Sequence, residues 1–381
     1  MRVVHVNCAQ DAERRTGPAL LDAWPTLAAV ASAVRSAGAD VAVVQSSHED
    51  AWCERDGVAF RFVAEPAMAG RSTAGFAPMR FARAVKALRP DAIHVNGFGF
   101  PLHTRAMCAL GPPVLVQDHA DPPRGRIRGL RRWGLARVAG AAFTASEQAA
   151  PFFQDGALKP GTPVFSIPES STRFRPGDMA AARIATGLHG RPAILWVGHL
   201  NANKDPITIL EAFSLALPRL PDACLWYCYQ HAPLLDRLRT RLAAEPGLSE
   251  RVHLLGAVPH AKVENFCRAA DFFMLGSRSE SCGYALLEAL ACGATPIVSD
   301  IPAFRGLMMH GAIGALCEPG DADSFARTLV TLSARPAEAM RTQAVRHFES
   351  ELSFPVLGRK LVAAYQTLID RHARSRKGRS S

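Results

Sequence analysis

The chain has 381 residues, a formal net charge of +10 and 48% hydrophobic residues, a composition typical of a globular protein long enough for two domains. Its nine cysteines form no CxxC pair and no zinc-type spacing, and the sequence opens on a strand-like run instead of a secretory leader, so we expect reduced thiols and a cytoplasmic location. No apolar run reaches the length of about 18 residues that a membrane span needs, which excludes a transmembrane segment.

Strand and helix patterns alternate through the first half of the chain. Short apolar runs predict strands at residues 3–7, 41–45, 59–63, 92–96, 113–117, 141–144 and 163–167. Stretches with helical periodicity predict helices at residues 20–37, 76–88 and 101–110. Strands separated by helices indicate parallel βαβ units, whose sheets bind ligands outside the carboxyl ends of the strands.

A proline- and glycine-rich stretch at residues 168–192 interrupts this pattern, and we place a domain linker near residues 168–176. The second half then repeats the pattern, with a helix at residues 206–217, a final helix at 354–370, and strands at residues 193–197, 223–229, 252–255, 272–275, 295–298 and 313–316. The sequence therefore predicts an α/β fold of two Rossmann-like domains that face each other across a cleft, with a boundary near residues 170 and 171.

Two glutamates flank the predicted start of a helix in the second half. Glu280 falls in the loop after the strand at residues 272–275, and Glu288 falls about one and a half turns into a helix that opens at Cys282-Gly283. A helix N-terminus attracts anions, so a carboxylate on each side suits a nucleotide sugar, which has hydroxyls at both ends and phosphates between them. Glutamates at such positions are also common as solvated surface charges. Three serines supply loop and cap chemistry here: Ser277, Ser279 and Ser281.

The string ESCGYALLEALACGATPIV resembles the Glu-x7-Glu signature of family-four glycosyltransferases, which are retaining enzymes with a GT-B fold. Glu280, Gly283 and Glu288 match the signature, and its continuation is present as Ala289, Ala291, Gly293 and Pro296. The resemblance implies that Glu288 binds ribose hydroxyls, that Glu280 binds hydroxyls of the donor sugar, and that the amides around Ser281, Cys282 and Gly283 face the diphosphate.

The resemblance also assigns the domains. It implies a donor domain at residues 171–354 and an acceptor-side domain at residues 1–170, onto which the last helix, within residues 355–381, crosses back.

A lysine in the second half matches another motif of this family. The string VGHLNANKDP is similar to the pattern V-G-R-L-x-x-x-K, in which arginine and lysine hold the donor diphosphate. Lys204 matches the lysine, whereas His199 stands where the arginine is usual. Histidine is only partly charged near neutral pH, so we expect weaker or more pH-dependent binding of the diphosphate.

Residues of the first half match the family by position. His119 follows the strand at residues 113–117, where the family often has a histidine near the transferred sugar, and Asp118 is a candidate to orient it. Gly17 lies where a glycine pair usually lets the backbone approach the donor. His94 alternates with apolar residues, which predicts an interior histidine.

We expect no essential metal and no cofactor apart from the donor substrate. Asp321 and Asp323 form an Asp-x-Asp pair, but they lie between Pro319-Gly320 and a predicted helix, and acidic residues in a first turn are ordinary cap chemistry.

The positive charge is concentrated in two segments. The tail from residue 371 onward contributes +5, and a segment at residues 124–137 contributes +6 through Arg124, Arg126, Arg128, Arg131, Arg132 and Arg137. Apolar residues alternate with the arginines of the second segment, which predicts either a solvated basic surface or one that binds anionic lipid headgroups. Peripheral attachment to the inner membrane surface, near a lipid-linked acceptor, is therefore one hypothesis.

These observations favour a metal-independent, retaining glycosyltransferase that moves a sugar from a nucleoside-diphosphate sugar to a sugar, lipid-linked or other small acceptor, in envelope or other glycan synthesis. Glu280, His119 and Lys204 are the candidate catalytic residues. Three alternatives stay open: a catalytically degenerate nucleotide-sugar-binding relative, a nucleotide-sugar epimerase, and a basic nucleic-acid-binding protein, although the sequence contains no nucleic-acid motif.

Overall fold

The computed structural model of the chain describes residues 1–65, 78–120 and 128–377. Its strands are β1 (Arg2–Asn7), β2 (Asp40–Ser47), β3 (Ala51–Arg55), β4 (Val58–Ala64), β5 (Ala92–Asn96), β6 (Val114–Gln117), β7 (Gly140–Phe143), β8 (Val164–Ser166), β9 (Ala193–Gly198), β10 (Cys224–Tyr229), β11 (Val252–Gly256), β12 (Phe272–Leu275), β13 (Thr295–Ser299) and β14 (Ala315–Cys317).

Its α-helices are α1 (Gly17–Ala23), α2 (Pro25–Ser36), α3 (Met79–Ala87), α4 (Pro101–Ala109), α5 (Arg128–Leu135), α6 (Ala150–Gln154), α7 (Met179–Thr186), α8 (Pro206–Ala216), α9 (Leu235–Ala243), α10 (Pro246–Ser249), α11 (His260–Ala269), α12 (Tyr284–Cys292), α13 (Pro302–Leu307), α14 (Ala322–Ser333), α15 (Ala337–His347) and α16 (Phe354–Lys377).

The chain forms two compact units, each built on one sheet. The first unit combines Met1–Ser171 with Phe354–Ser381, and the second is Thr172–Ser353. The first sheet has eight strands in the order β3-β4-β2-β1-β5-β6-β7-β8, and the second has six in the order β11-β10-β9-β12-β13-β14. All pairs are parallel except β3 with β4. Both units are therefore Rossmann-like, as predicted.

Two local predictions about the first unit are wrong. The predicted helix at residues 20–37 is two helices, because Trp24 has non-helical dihedral angles and Pro25 starts α2 as its first residue. The strand β3 was missed, although Asp56 and Gly57, both with positive φ, form the tight turn of its hairpin with β4. β3 is an edge strand with alternating exposure, so it has no continuous apolar run to reveal it.

The last helix belongs to the first unit. Buried residues of α16, among them Leu361 and Leu368, pack in one cluster with Val3 of β1 and Phe60 of β4. The Tyr365 hydroxyl lies 2.6 Å from Nδ1 of His94 and 3.1 Å from Nε2 of His5. Burial lowers the pKa of His5 to about 4 and holds the pKa of His94 well below its usual value, so both rings are neutral. His94 is an interior histidine, as predicted.

Candidate functional site

The second unit brings a lysine and a glutamate together at the carboxyl ends of β9 and β12. Lys204 lies in the loop after β9 and Glu280 in the loop after β12, and Lys204 Nζ is 2.5 Å from Glu280 Oε1. The two side chains are 19% and 11% exposed. Because both strands are parallel and adjacent, residues far apart in the sequence meet at this edge of the sheet. The ammonium and the carboxylate can both reach a ligand from here.

Hydrogen bonds join these two loops and fix the position of Lys204. The Asn203 side-chain amide donates to the Ser279 carbonyl at 2.9 Å, and the Arg278 amide donates to the Asn203 carbonyl at 2.8 Å. Asn201 Oδ1 accepts from the Lys204 amide at 2.9 Å. Asp205, whose carboxylate caps α8 and also binds Arg278, holds the end of the first loop. The Lys204 side chain therefore projects from a braced backbone.

The helix α12 begins directly behind the glutamate loop. Gly283 is its cap residue, with φ +78°, and a Cβ atom at this position would lie 2.7 Å from Phe304 Cε1. Because glycine has no side chain, the cap residue itself contributes no side-chain hydrogen bond to this helix. Ser281 and Cys282 precede Gly283, and Cys282 is buried, so of Cys282 only the backbone is suited to meet a ligand. The helix N-terminus carries partial positive charge.

Glu288 lies in the second turn of α12, and its side chain is only 11% exposed. Nε2 of His260, the first residue of α11, lies 2.6 Å from Glu288 Oε1. The His260 ring stacks on Phe174 with 5.0 Å between ring centroids. The hydrogen bond to the Glu288 carboxylate raises the pKa of His260. Sequence reasoning missed His260, whose only signal was its place at the start of a helix after a strand end.

The first unit surrounds His119 with polar partners. Nε2 of His119 lies 3.0 Å from Asn96 Oδ1, and Nδ1 lies 3.1 Å from Glu169 Oε2. The sequence analysis named Asp118 as the candidate to orient His119. The two ring nitrogens instead contact Asn96 and Glu169, which the sequence analysis did not single out. Desolvation lowers the pKa of His119 below its usual value, although 36% of its side chain is exposed.

These residues line a pocket of about 260 Å³ within the first unit. Its polar side includes Asn7, Asn96, His119 and Glu169, and Trp24 contributes to its apolar wall. No lysine or arginine is among the residues of the described ranges that line it. The carboxyl ends of β1, β5 and β6 all lead to this pocket, so it occupies the ligand-binding edge of the first sheet.

Two sequence profiles match the chain, one in each unit. The family described as "Glycosyl transferases group 1" matches residues 180–346, and the family described as "Glycosyltransferase Family 4" matches residues 26–155. The chain belongs to the group 1 glycosyl transferases.

Curated relatives of this group 1 glycosyl transferase are D-inositol 3-phosphate glycosyltransferases. The protein from Nocardia farcinica is 34% identical over 167 residues, which are 42% of this chain and 37% of the relative. The protein from Mycobacterium sp. (strain JLS) is 34% identical over 181 residues, 46% of this chain and 40% of the relative. The matched segment thus spans less than half the length of these relatives.

Solved structures show that the fold is GT-B. Anabaena Alr3699/HepE, solved in complex with UDP, has a TM-score of 0.69 at 14% identity, with 96% of this chain and 100% of that chain covered. Sucrose-phosphate synthase from Thermosynechococcus elongatus has a TM-score of 0.68 at 17% identity, with 97% and 100% covered. The glycosyltransferase from Rickettsia africae has a TM-score of 0.72 at 11% identity, with 97% and 99% covered.

The other predicted site residues of this group 1 glycosyl transferase lie at strand ends. His199 directly follows β9, is exposed, and packs edge-to-face against His231 with 6.0 Å between ring centroids. Gly17 is the first residue of α1, has φ +58°, and belongs to the first unit. Asp321 accepts a hydrogen bond from the Ser324 amide as the cap of α14, which confirms that it is a helix-cap residue.

The basic segment of this group 1 glycosyl transferase is only partly a free cationic surface. Arg124 and Arg126 lie outside the described residues. Within α5, Arg131 is buried, while Arg128 pairs with the Asp155 carboxylate and Arg132 donates to the Asp155 carbonyl. Fewer arginines are therefore available to lipid than the sequence indicates. No helix within residues 1–65, 78–120 and 128–377 is long and apolar enough to cross a membrane.

Proposed function

We propose that this chain transfers a sugar from a nucleoside-diphosphate sugar to a hydroxyl-bearing acceptor, with retention of anomeric configuration and without a metal ion. The observation that carries the proposal is the Lys204–Glu280 pair beside the N-terminus of α12, with Glu288 in the next turn. These groups match the parts of a nucleotide sugar in order along its length. Glu280 matches the sugar, Lys204 and the helix N-terminus match the diphosphate, and Glu288 matches the ribose.

In this proposal the main task of the site is to stabilise the leaving diphosphate. Negative charge grows on it as the anomeric C–O bond breaks, and preorganised positive groups lower the barrier by meeting that charge. Lys204 and the amides at the start of α12 take this role, with His199 contributing when it is protonated. Glu280 exchanges its contact with Lys204 for hydroxyls of the donor sugar, and Glu288 binds the ribose hydroxyls through charge-assisted hydrogen bonds.

The acceptor occupies the pocket around His119 in this proposal. The imidazole and the Asn96 amide are placed to bind hydroxyl groups, and the wall near Trp24 is suited to the apolar face of a sugar ring. We propose a sugar or another small molecule with hydroxyl groups as the acceptor in this pocket.

Nucleotide binding tests the donor half of the proposal. UDP is the first candidate, because Anabaena HepE was solved with UDP and with UDP-glucose. Thermal unfolding is measured with UDP, GDP, ADP and CDP, with and without divalent ions, on wild type, Glu288→Gln and the exposed control Glu250→Gln. A ligand at 100 times its Kd adds about 2.7 kcal/mol to the free energy of unfolding. One nucleotide should stabilise wild type and the control without metal, and should stabilise Glu288→Gln less.

Transfer itself is the second test. The matching nucleotide sugars are incubated with neutral sugars and their phosphates, and the anomeric configuration of the product is read by NMR. A product with inverted configuration would contradict retention, and transfer to neither the neutral sugars nor their phosphates would contradict a sugar acceptor. Nucleotide binding without transfer or donor hydrolysis would instead favour a protein that only binds nucleotide sugars. His199 is the reason to keep this alternative, because it replaces the arginine that usually holds the diphosphate.

Membrane attachment is a separate proposal for the cellular setting. The exposed Arg137 would attract anionic headgroups near a lipid-linked envelope acceptor. Sedimentation with anionic and with neutral vesicles at low and physiological salt tests it. Binding that requires anionic lipid supports attachment, and equal recovery in the supernatant with both vesicles would end the proposal.

A further inference from the structure

A second cluster of chemically active side chains lies at the opposite edge of the second sheet. His189 precedes β9, Cys224 is the first residue of β10, and His253 is the second residue of β11. One ligand atom from each of these three side chains lies within 4.8 Å of the others. The proposed donor groups are at the carboxyl ends of the strands, and these three are at the amino ends. A strand of six residues separates the two edges by about 17 Å, so this cluster is not part of the donor site.

Ring stacking and a hydrogen bond orient the two histidines. The His253 ring stacks on Trp226 with 3.8 Å between ring centroids, and its buried Nε2 atom has no hydrogen-bond partner. Nδ1 of His189 lies 3.0 Å from the Gly187 carbonyl, which fixes the tautomer that leaves Nε2 available. The indole N–H of Trp226 donates to the His189 carbonyl at 3.0 Å.

A glycine allows the loop to approach the cysteine. Gly190 has φ +123°, and a Cβ atom there would lie 2.7 Å from the Cys224 amide nitrogen. Only a residue without a side chain lets the segment that carries His189 lie directly against β10. The chain thus packs three distant segments around one point, which spacing in the sequence does not reveal.

We propose that His189, Cys224 and His253 bind one Zn²⁺ ion, with water as the fourth ligand. Imidazole nitrogen and thiolate sulfur are the donor types that zinc prefers. In a tetrahedral zinc site the donor atoms are about 3.5 Å apart, and His189, which lies at the surface, can adjust its side chain to reach this spacing. Binding releases the thiol proton of Cys224 to solvent. Three arginines in the same depression oppose a cation: Arg183, Arg191 and Arg251. The charge of Arg183 is offset by its ion pair with Asp271, and Asp222 adds a negative charge to the depression.

The ion would act as a clip on the edge of the sheet. β11 is the edge strand and pairs only with β10 among the described strands of this sheet. A metal bound by residues before β9, on β10 and on β11 joins all three at their amino ends. We therefore expect zinc to stabilise the second unit without changing the proposed transfer reaction.

Cobalt spectroscopy tests the site on the full chain without a histidine tag. Metal-free, reduced protein is titrated with Co²⁺, whose thiolate bond gives a near-ultraviolet charge-transfer band. Wild type should bind one equivalent with this band, and zinc should displace it and raise the unfolding temperature. Cys224→Ser should lose the band, whereas the control Cys53→Ser, at a partly exposed thiol, should keep it.

A variant at an exposed residue protects the test against misfolding. His189→Gln should fold normally because its side chain lies at the surface, and should weaken cobalt binding by at least about tenfold. Absence of the charge-transfer band in folded wild type, its persistence in Cys224→Ser, or unchanged affinity in His189→Gln would overturn the proposal. None of these readouts depends on nucleotide binding or sugar transfer.

Discussion

Single side chains decide how the proposed donor site works, and Glu280 is the first to test. Glu280→Gln keeps the shape but loses the charge that holds Lys204 at 2.5 Å and that would bind the donor sugar. We expect kcat to fall by about 10²-fold or more, since the lost contact orients the reacting groups.

Glu288→Gln should mainly raise KM, by about tenfold, because it removes a charge-assisted bond to the nucleotide. Steady-state kinetics separate the two, with Glu250→Gln as control; equal effects of both variants on kcat would contradict this division of roles.

His260 should make nucleotide binding depend on pH. The hydrogen bond to Glu288 raises the pKa of His260, so the ion pair is complete below the ordinary pKa of about 6.5 and is lost as pH rises through the raised value. The imidazolium contacts one oxygen of the Glu288 carboxylate and so orients it, while the second oxygen can accept a hydrogen bond from a ribose hydroxyl. Nucleotide affinity should therefore fall with rising pH in wild type.

The matched variant for this prediction is His260→Ala. We expect severalfold weaker nucleotide binding at pH 6 and little difference from wild type at pH 9, measured by calorimetric titration. Tighter binding in His260→Ala at pH 6 would show instead that the histidine competes with the nucleotide for Glu288.

The sequence predicted the site residues that follow strands but not their partners. Lys204 and Glu280 were found because they match family motifs and lie in loops that follow buried apolar strands, and parallel strands end at one edge. His260 is 28 residues from Glu288, and Asn96 is 23 residues from His119. Such contacts depend on which loops the sheet order brings together, and no local pattern encodes that order.

At the scale of elements, α12 shows how a backbone conformation can set a binding surface. Gly283 in the left-handed region aims the first turn at the loop of Glu280, and Phe304 fills the space where a side chain would be. Gly283→Ala should cost about 1–3 kcal/mol through strain and overlap and should weaken nucleotide binding as the helix start shifts. Chemical denaturation and nucleotide titration measure both effects. The control Gly247→Ala, where a Cβ atom meets nothing within 4 Å, should leave nucleotide affinity unchanged.

Buried elements were easier to predict than edge elements. β12 was predicted at its observed bounds because four apolar residues lie inside the second sheet. β3 was missed because every second residue is exposed at the edge of the first sheet. The break at Trp24-Pro25 was passed over because helical periodicity continues across it, although proline restricts the residue before it.

At the scale of the whole molecule, the first unit is discontinuous, since its last helix follows the entire second unit in the chain. α16 lies directly on α2, and a Cβ atom on Gly358 would be 2.2 Å from the Ala33 carbonyl oxygen. Gly358→Ala must push the two helices apart, so we expect it to destabilise the first unit by about 1–3 kcal/mol. The buried His5–Tyr365 contact would be loosened by the same displacement.

Hydrogen exchange measured along the chain distinguishes a local effect from a global one. Gly358→Ala should speed exchange in β1, β5 and α2, while residues 172–353 keep the protection they have in wild type. Gly129→Ala is the matched control, because this glycine is an exposed residue of α5 with nothing within 4 Å of its Cβ position, where alanine favours the helix by about 1 kcal/mol. Loss of protection in both units together in Gly358→Ala would contradict this prediction. It would mean that the two units unfold in one cooperative transition.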